Sequence, residues 1–102
     1  MRGIVARIKV KEGREAEFEA LAASLVVKSR AEDGCLSYEL WRSEEAGEYV
    51  FVERYVDEAT AQAHVKSDHY RRIGRQMGAL MDGAPTVLRL AAMDLAGRPE
   101  PG

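Results

Sequence analysis

The chain begins with a regular alternation of apolar and charged side chains. In residues 3–10, GIVARIKV, every second residue from Ile4 to Val10 is apolar, and an arginine and a lysine stand among them. A period of two is typical of a strand with one buried face, so these residues predict the first strand. After a turn at Gly13 the apolar residues recur at helical spacing, which predicts an amphipathic helix over residues 15–30.

Two runs rich in β-branched and aromatic residues follow, CLSYELWRS from Cys35 and YVFVERYV from Tyr49. The segment between them, EEAGE, contains Gly47, which suits a tight turn. These runs predict a β-hairpin made of the second and third strands, after a connection that ends at Gly34.

The next segment has helical character with one interruption. Asp57 suits the N-cap of a helix in EATAQAHVK, residues 58–66. Ser67 and Asp68 then interrupt the pattern, and a second apolar stripe at helical spacing continues to Gly83. This pattern predicts a short helix, a corner and a longer helix.

An extended run after Pro85, TVLRLAAMDL in residues 86–95, predicts a fourth strand. The order is βαββαβ, which is the ferredoxin-like pattern of a four-stranded antiparallel sheet with its helices on one face. We therefore expect an α+β domain over residues 1–95. The last residues, 96–102, are rich in Gly and Pro and predict a flexible C-terminal tail.

The third strand has two apolar faces. Phe51 and Tyr55 point to one side, and Val50, Val52 and Val56 point to the other. The helices can cover only one side, so a second copy of the chain is the simplest cover for the other. This pattern predicts a homodimer through the open sheet face.

Composition narrows the possible partners. The chain has 102 residues, enough for one domain, and its 15 basic residues are interspersed with 17 acidic ones. No basic patch indicates nucleic acid as a partner. The single Cys35 excludes an internal disulfide, and the N-terminus becomes polar too early for a signal or membrane segment, so we expect a cytoplasmic protein without membrane contact.

The familiar catalytic and cofactor motifs, such as GxSxG, the P-loop, GxGxxG, CxxC and HExxH, are absent from the sequence. His64 and His69 are five residues apart, which is about 140° around a continuous helix. With no further His and no Cys pair, this spacing predicts no metal site, and packing or helix-start roles are the simpler interpretation. A lone thiol such as Cys35 is typical of a small buried hydrophobe.

Glu53 is the exception on its strand. It shares the helix-facing side with Phe51 and Tyr55, where an apolar residue is expected. A buried carboxylate needs a partner, so Glu53 either forms a salt bridge between sheet and helix or acts with Tyr55 and His64 at a cavity. The salt bridge is the simpler of the two interpretations.

The stretches EDGCLSYELWRS, FVERYVDEATAQAHVKSDHY and LMDGAPTVLRL together resemble the antibiotic biosynthesis monooxygenase (ABM) domain family over nearly the whole chain. The resemblance implies a dimeric α+β barrel. Members include oxygenases of quinols and polyketide phenols that use no metal or flavin, haem-degrading enzymes, and an isomerase of a phosphorylated sugar derivative.

Individual positions separate these branches. The haem-degrading members have Asn, Trp and His where this chain has Ala6, His64 and Gly74, which argues against haem degradation. The polyketide oxygenases have Asn and Trp in place of Phe51 and Tyr55. The His-x-x-x-x-His spacing matches the quinol monooxygenases and the isomerase, and the isomerase also has Tyr where others have Trp.

The resemblance implies a cofactor-independent monooxygenase that oxidises a small quinol or phenol with O2 between sheet and helices. His64 is the expected base, because its ordinary pKa of about 6.5 suits proton abstraction, and Tyr55 and Glu53 orient it or the substrate. There are two alternatives. One is an isomerase of a small phosphorylated carbonyl compound, and the other is a non-catalytic dimer that binds a small molecule. His69, at the start of a helix, is expected to serve local structure as well as the substrate site. The expected substrate-binding residues are Phe51, His69, Tyr70 and Arg75.

Overall fold

A computed structural model describes residues 1–93 and contains one four-stranded sheet and three helices. The elements are β1 (Arg2–Lys9), α1 (Glu15–Arg30), β2 (Cys35–Arg42), β3 (Glu48–Tyr55), α2 (Glu58–Val65), α3 (Asp68–Gly78) and β4 (Thr86–Ala91). The end of the predicted fourth strand, residues 94–95, and the predicted tail, residues 96–102, lie outside the described residues.

The sheet has the order β2-β3-β1-β4, and every neighbouring pair is antiparallel. This is the ferredoxin-like arrangement predicted from the element order. One row across the helix-facing side contains Tyr38, Glu53, Ile4 and Arg89, in the order of the strands. Because opposite residues in antiparallel strands share a face, this row places Glu53 and Arg89 on the same side, two strands apart.

The core lies between this side of the sheet and the helices. Phe18 and Leu25 of α1 are buried against aromatic residues of the sheet, and the ring centroids of Phe18 and Tyr49 are 4.9 Å apart. Ile73 and Met77 of α3 join the same cluster at i and i+4. The main core therefore depends on α1 and α3, and the shorter α2 buries Ala61 and His64.

Side-chain caps position the two helices of the predicted corner. The Asp57 carboxylate accepts a hydrogen bond from the Thr60 amide at 2.8 Å, which confirms the predicted N-cap of α2. The Ser67 hydroxyl donates to the His64 carbonyl at 2.6 Å and accepts from the Tyr70 amide at 3.3 Å. Ser67 thus joins the end of α2 to the start of α3.

The second apolar stripe does not remain helical to Gly83 as expected. Helix α3 ends at Gly78, and the chain then runs beside the end of β1. The Lys11 amide donates to the Leu80 carbonyl, and the Asp82 amide donates to the Lys9 carbonyl, both at 2.8 Å. These pairings satisfy backbone groups that a longer helix would have used, while Leu80 stays buried.

No part of residues 1–93 covers the other side of the sheet. Val50 and Val52 are half-buried there, while Trp41, Leu88 and Leu90 are 58%, 57% and 48% exposed. The predicted division of β3 into two apolar faces is therefore correct. Among residues 1–93, none of the helices has the length and apolar character needed to cross a membrane.

Candidate functional site

A cavity of about 430 Å³ lies between the helix-facing side of the sheet and α3. Its interior is mainly apolar, with side chains such as Ile4, Phe51 and Met77, and its polar lining groups include Glu53 and His64. An apolar cavity with a few polar groups is the usual form of a small-molecule site.

His64 is held in one orientation by its surroundings. Its side chain is 1% exposed, and its ring lies between those of Tyr38, Tyr55 and Tyr70, at centroid distances of 5.2, 5.6 and 4.9 Å. Nδ1 lies 2.9 and 3.1 Å from the two carboxylate oxygens of Glu32. A carboxylate accepts hydrogen bonds, so Nδ1 carries the proton and Nε2 keeps its lone pair.

The Nε2 atom of His64 is buried and has no hydrogen-bond partner among the described residues. Glu53 Oε1 lies 3.9 Å away from it, beyond hydrogen-bonding distance. Burial lowers the pKa of His64, and the hydrogen bond to Glu32 opposes this effect. The ring is therefore held neutral, with an unused proton acceptor on the side of Glu53.

Glu53 itself is 6% exposed and accepts a hydrogen bond from the Tyr55 hydroxyl at 2.6 Å. Burial raises the pKa of Glu53 to about 7, although the Tyr55 hydrogen bond acts in the opposite direction. Burial also raises the pKa of Tyr55, which keeps its hydroxyl protonated as a donor. Glu53 is thus a carboxyl group that can gain or lose a proton near neutral pH.

The two histidines meet at a third residue. His69 Nε2 contacts the same Glu32 carboxylate as His64 Nδ1, and the two rings have centroids 6.2 Å apart. The expected separation on a continuous helix does not apply, because α2 ends at Val65 and α3 starts at Asp68. The corner turns both side chains toward Glu32.

Glu32, His64 and His69 together offer three ligand atoms that all lie within 4.8 Å of one another. Two imidazoles and a carboxylate form a donor set that divalent transition metals accept. The sequence predicted no metal site because it offered no evident third ligand beside the two histidines. In the structure Glu32 supplies a third ligand group. In the structure these atoms are hydrogen-bonded to one another, which already satisfies them.

The structure brings together most of the residues predicted for the site. Glu53 and His64 line the cavity, as do the expected substrate contacts Phe51, Tyr70 and Arg75. Tyr55 and His69 are not among the lining residues, and each reaches the site through a carboxylate, Glu53 for Tyr55 and Glu32 for His69. The residues that sequence reasoning missed are Glu32, Tyr38, Arg71 and Arg89.

Two of the missed residues, Glu32 and Tyr38, lacked a local signal. Glu32 lies 32 positions before His64, in a turn where an acidic residue is ordinary. Tyr38 looked like any aromatic strand residue. For Arg89 a signal existed, because its position in the alternation of the fourth strand places it on the helix-facing side.

Comparison with known proteins gives a consistent assignment. Residues 1–76 match the sequence model of the family described as antibiotic biosynthesis monooxygenase. "Putative monooxygenase Rv0793" of Mycobacterium tuberculosis is 34% identical over 93 residues, which is 91% of this chain and 92% of that protein. "Putative monooxygenase YcnE" of Bacillus subtilis is 41% identical over 87 residues, 82% of this chain and 90% of that protein.

Solved structures agree with these matches. The structure of Rv0793 superposes with a TM-score of 0.86 at 33% identity, covering 94% of this chain and 98% of that one. A structure described as a putative antibiotic biosynthesis monooxygenase from Caulobacter crescentus superposes with a TM-score of 0.87 at 37% identity, covering 91% and 90%. These similarities confirm the ferredoxin-like α+β fold, and the chain belongs to the antibiotic biosynthesis monooxygenase family.

Proposed function

We propose that this protein is a cofactor-independent monooxygenase that oxidises a small quinol or phenol with O2 in the cavity beside His64. The observation that carries the proposal is the buried Nε2 atom of His64, which has no hydrogen-bond partner within residues 1–93, while Nδ1 is bound to Glu32. A buried acceptor without a partner is costly unless a ligand supplies the proton. The hydroxyl group of a quinol is such a donor.

The reaction needs a base and a dry cavity more than it needs a cofactor. His64 Nε2 removes the hydroxyl proton, and the resulting anion transfers one electron to O2. The ring radical and superoxide combine into a ring peroxide that takes up the proton. Cleavage of the O–O bond, with loss of the ring hydrogen, releases water. One oxygen atom enters the ring and the other leaves as water, so quinol and O2 give hydroxyquinone and water.

The surrounding residues have distinct roles in this proposal. Glu32 is a positioning residue that selects the Nδ1–H form of His64, and His69 holds the Glu32 carboxylate. Glu53 orients the substrate or returns a proton, since its pKa of about 7 allows both forms. Tyr55 positions Glu53 by donating to it.

Oxygen uptake with 1,4-naphthoquinol tests the proposal. His64→Ala should lower the rate by about 10² to 10⁴-fold, the usual contribution of a general base. Gln62→Ala changes an exposed residue of the same helix and should leave the rate unchanged. Protein treated with a chelator should also retain its rate. Absence of uptake with this and other simple quinols would refute the oxygenase proposal, and an unaffected His64→Ala variant would remove His64 from the mechanism.

Glu32→Gln tests the positioning role separately. Because Glu32 raises the pKa of His64, its removal should shift the acidic limb of the pH-rate profile to lower pH and lower kcat. A purely structural role for Glu32 would change stability without moving the profile.

The second candidate is an isomerase of a small carbonyl compound, phosphorylated or not. The observation that favours it is the proximity of His64 and Glu53, which could serve as base and acid on either side of a carbonyl. An isomerase would work without O2 and would exchange the hydrogen beside the carbonyl with solvent deuterium. A substrate that turns over under anaerobic conditions would therefore favour this candidate over the oxygenase.

The open sheet face supports a homodimer. Trp41, Leu88 and Leu90 form an exposed apolar surface that a second copy could cover. Leu88→Asp should then give monomers in sedimentation. The control Val27→Asp changes an exposed apolar residue of α1, away from this surface, and should leave the dimer intact. A native chain that sediments as a monomer at micromolar concentration would contradict the dimer.

A further inference from the structure

The lining of the cavity has an excess of positive charge. Arg71 and Arg75 of α3 and Arg89 of β4 line it, and among the described residues Glu53 is the one carboxylate that does so. Within residues 1–93 none of these three arginines forms an ion pair. Since Glu53 is only partly ionised near neutral pH, the cavity has a net positive charge.

Two of these arginines are mildly unfavourable neighbours. Arg71 and Arg75 stand at i and i+4 of one helix, where like charges repel. Both side chains border the cavity and are also exposed to solvent, and neither has an ion-pair partner among residues 1–93. An anion between the guanidinium groups would relieve the repulsion, and arginine binds carboxylate and phosphate groups through paired hydrogen bonds.

The sheet register sets the spacing between the positions of Arg89 and Glu53. Arg89, Ile4 and Glu53 lie in one row, so the backbone positions of Arg89 and Glu53 are two strand spacings, roughly 10 Å, apart, and the Arg89 charge is near enough to lower the pKa of Glu53. The interior between them is apolar. A fused aromatic ring with an acidic substituent spans this distance, with its hydroxyl group toward His64 and its anionic group toward the arginines.

We propose that the substrate of this cavity carries an anionic group, a carboxylate or a phosphate, bound by Arg71, Arg75 and Arg89. The proposal rests on the oxygenase function for the position of the hydroxyl group, but the anion subsite can be tested by binding alone. The matched probes are 2-naphthoate, 2-naphthamide as its neutral counterpart, and 2-naphthyl phosphate.

Calorimetric titration at low salt should show that 2-naphthoate or 2-naphthyl phosphate binds at least about tenfold more tightly than 2-naphthamide. The stronger of the two anions identifies the group. Arg75→Gln and Arg89→Gln should reduce this preference, and Arg72→Gln, an exposed neighbour outside the cavity lining, should not. In the native protein, added salt should weaken binding of the anion more than that of the amide.

Equal binding of acid and amide, no binding of either anion, or an equal loss in Arg72→Gln would overturn the proposal. Oxygen uptake with 1,4-naphthoquinol and with its 2-carboxylate then separates this inference from the proposed function. Equal kcat/KM for the two would overturn the anion subsite and leave the oxygenase intact. Uptake with neither would refute the oxygenase, and the titrations would still decide the subsite.

Discussion

Glu53→Gln should stabilise the protein above neutral pH. The Glu53 side chain is buried, and burial raises the pKa of its carboxyl group to about 7 from an ordinary 4.5. The charged form is therefore disfavoured in the folded state. Glutamine has nearly the same shape, cannot ionise, and keeps an oxygen that accepts the hydrogen bond from Tyr55.

The size of the effect follows from the two pKa values. The folded state holds the Glu53 proton more tightly than the unfolded state, so this group's contribution to stability is fully present below pH 4.5 and is lost as the pH rises through about 7. One pKa unit is worth about 1.4 kcal/mol, which makes the loss about 3 kcal/mol. At about pH 8 the Glu53→Gln variant should therefore exceed the native chain in unfolding free energy by about that amount.

Urea unfolding at about pH 5 and about pH 8, at one fixed protein concentration, measures the difference. The gain should be large at the higher pH and small at the lower one. Glu12→Gln, at an exposed position, is the control and should show no such gain. If the Glu53→Gln variant is no more stable than the native chain at the higher pH, Glu53 is not a destabilised carboxylate, and its proposed proton-transfer role loses its physical basis.

Three further predictions concern the supports of the site. Gly34→Ala should destabilise the protein by about 1–3 kcal/mol more than Gly13→Ala in urea unfolding. Both glycines have positive φ, but only at Gly34 would an added Cβ meet a neighbour, Thr60 Cγ2 at 2.6 Å. Equal losses of stability in the two variants would contradict this. Asp57→Ala should cost about 1 kcal/mol by removing the α2 cap, and Asp57→Asn should restore most of it. Burial raises the pKa of Cys35, so iodoacetamide should alkylate the native thiol more slowly than the urea-unfolded one at the same pH, and equal rates would show an accessible thiolate.

The fold was predictable because its signals are local. Alternation in β1 and β3 marks which side chains are buried, and the order of elements with right-handed crossovers leaves little freedom for the sheet. The end of α3 was not predictable in this way. Leu80 and Met81 have helical spacing, but the chain leaves the helix after Gly78 through a turn, and hydrogen bonds with Lys9 and Lys11, about 70 residues earlier, hold it beside the end of β1.

The same distinction between local and distant signals applies to the residues of the site. Glu53 was predictable because a carboxylate in an apolar row of a strand is a local anomaly, and the structure gives it the buried position that the row requires. The meeting of His64 and His69 was not, because their angular separation depends on whether the helix continues through Ser67. Once the helix breaks there, a five-residue spacing that separates two side chains on one helix can bring them to one carboxylate, Glu32. The break also leaves Nδ1 of His64 bound and Nε2 without a partner in the part of the chain that the structure describes, so the corner, more than the identity of either histidine, determines whether this side chain can act as a base.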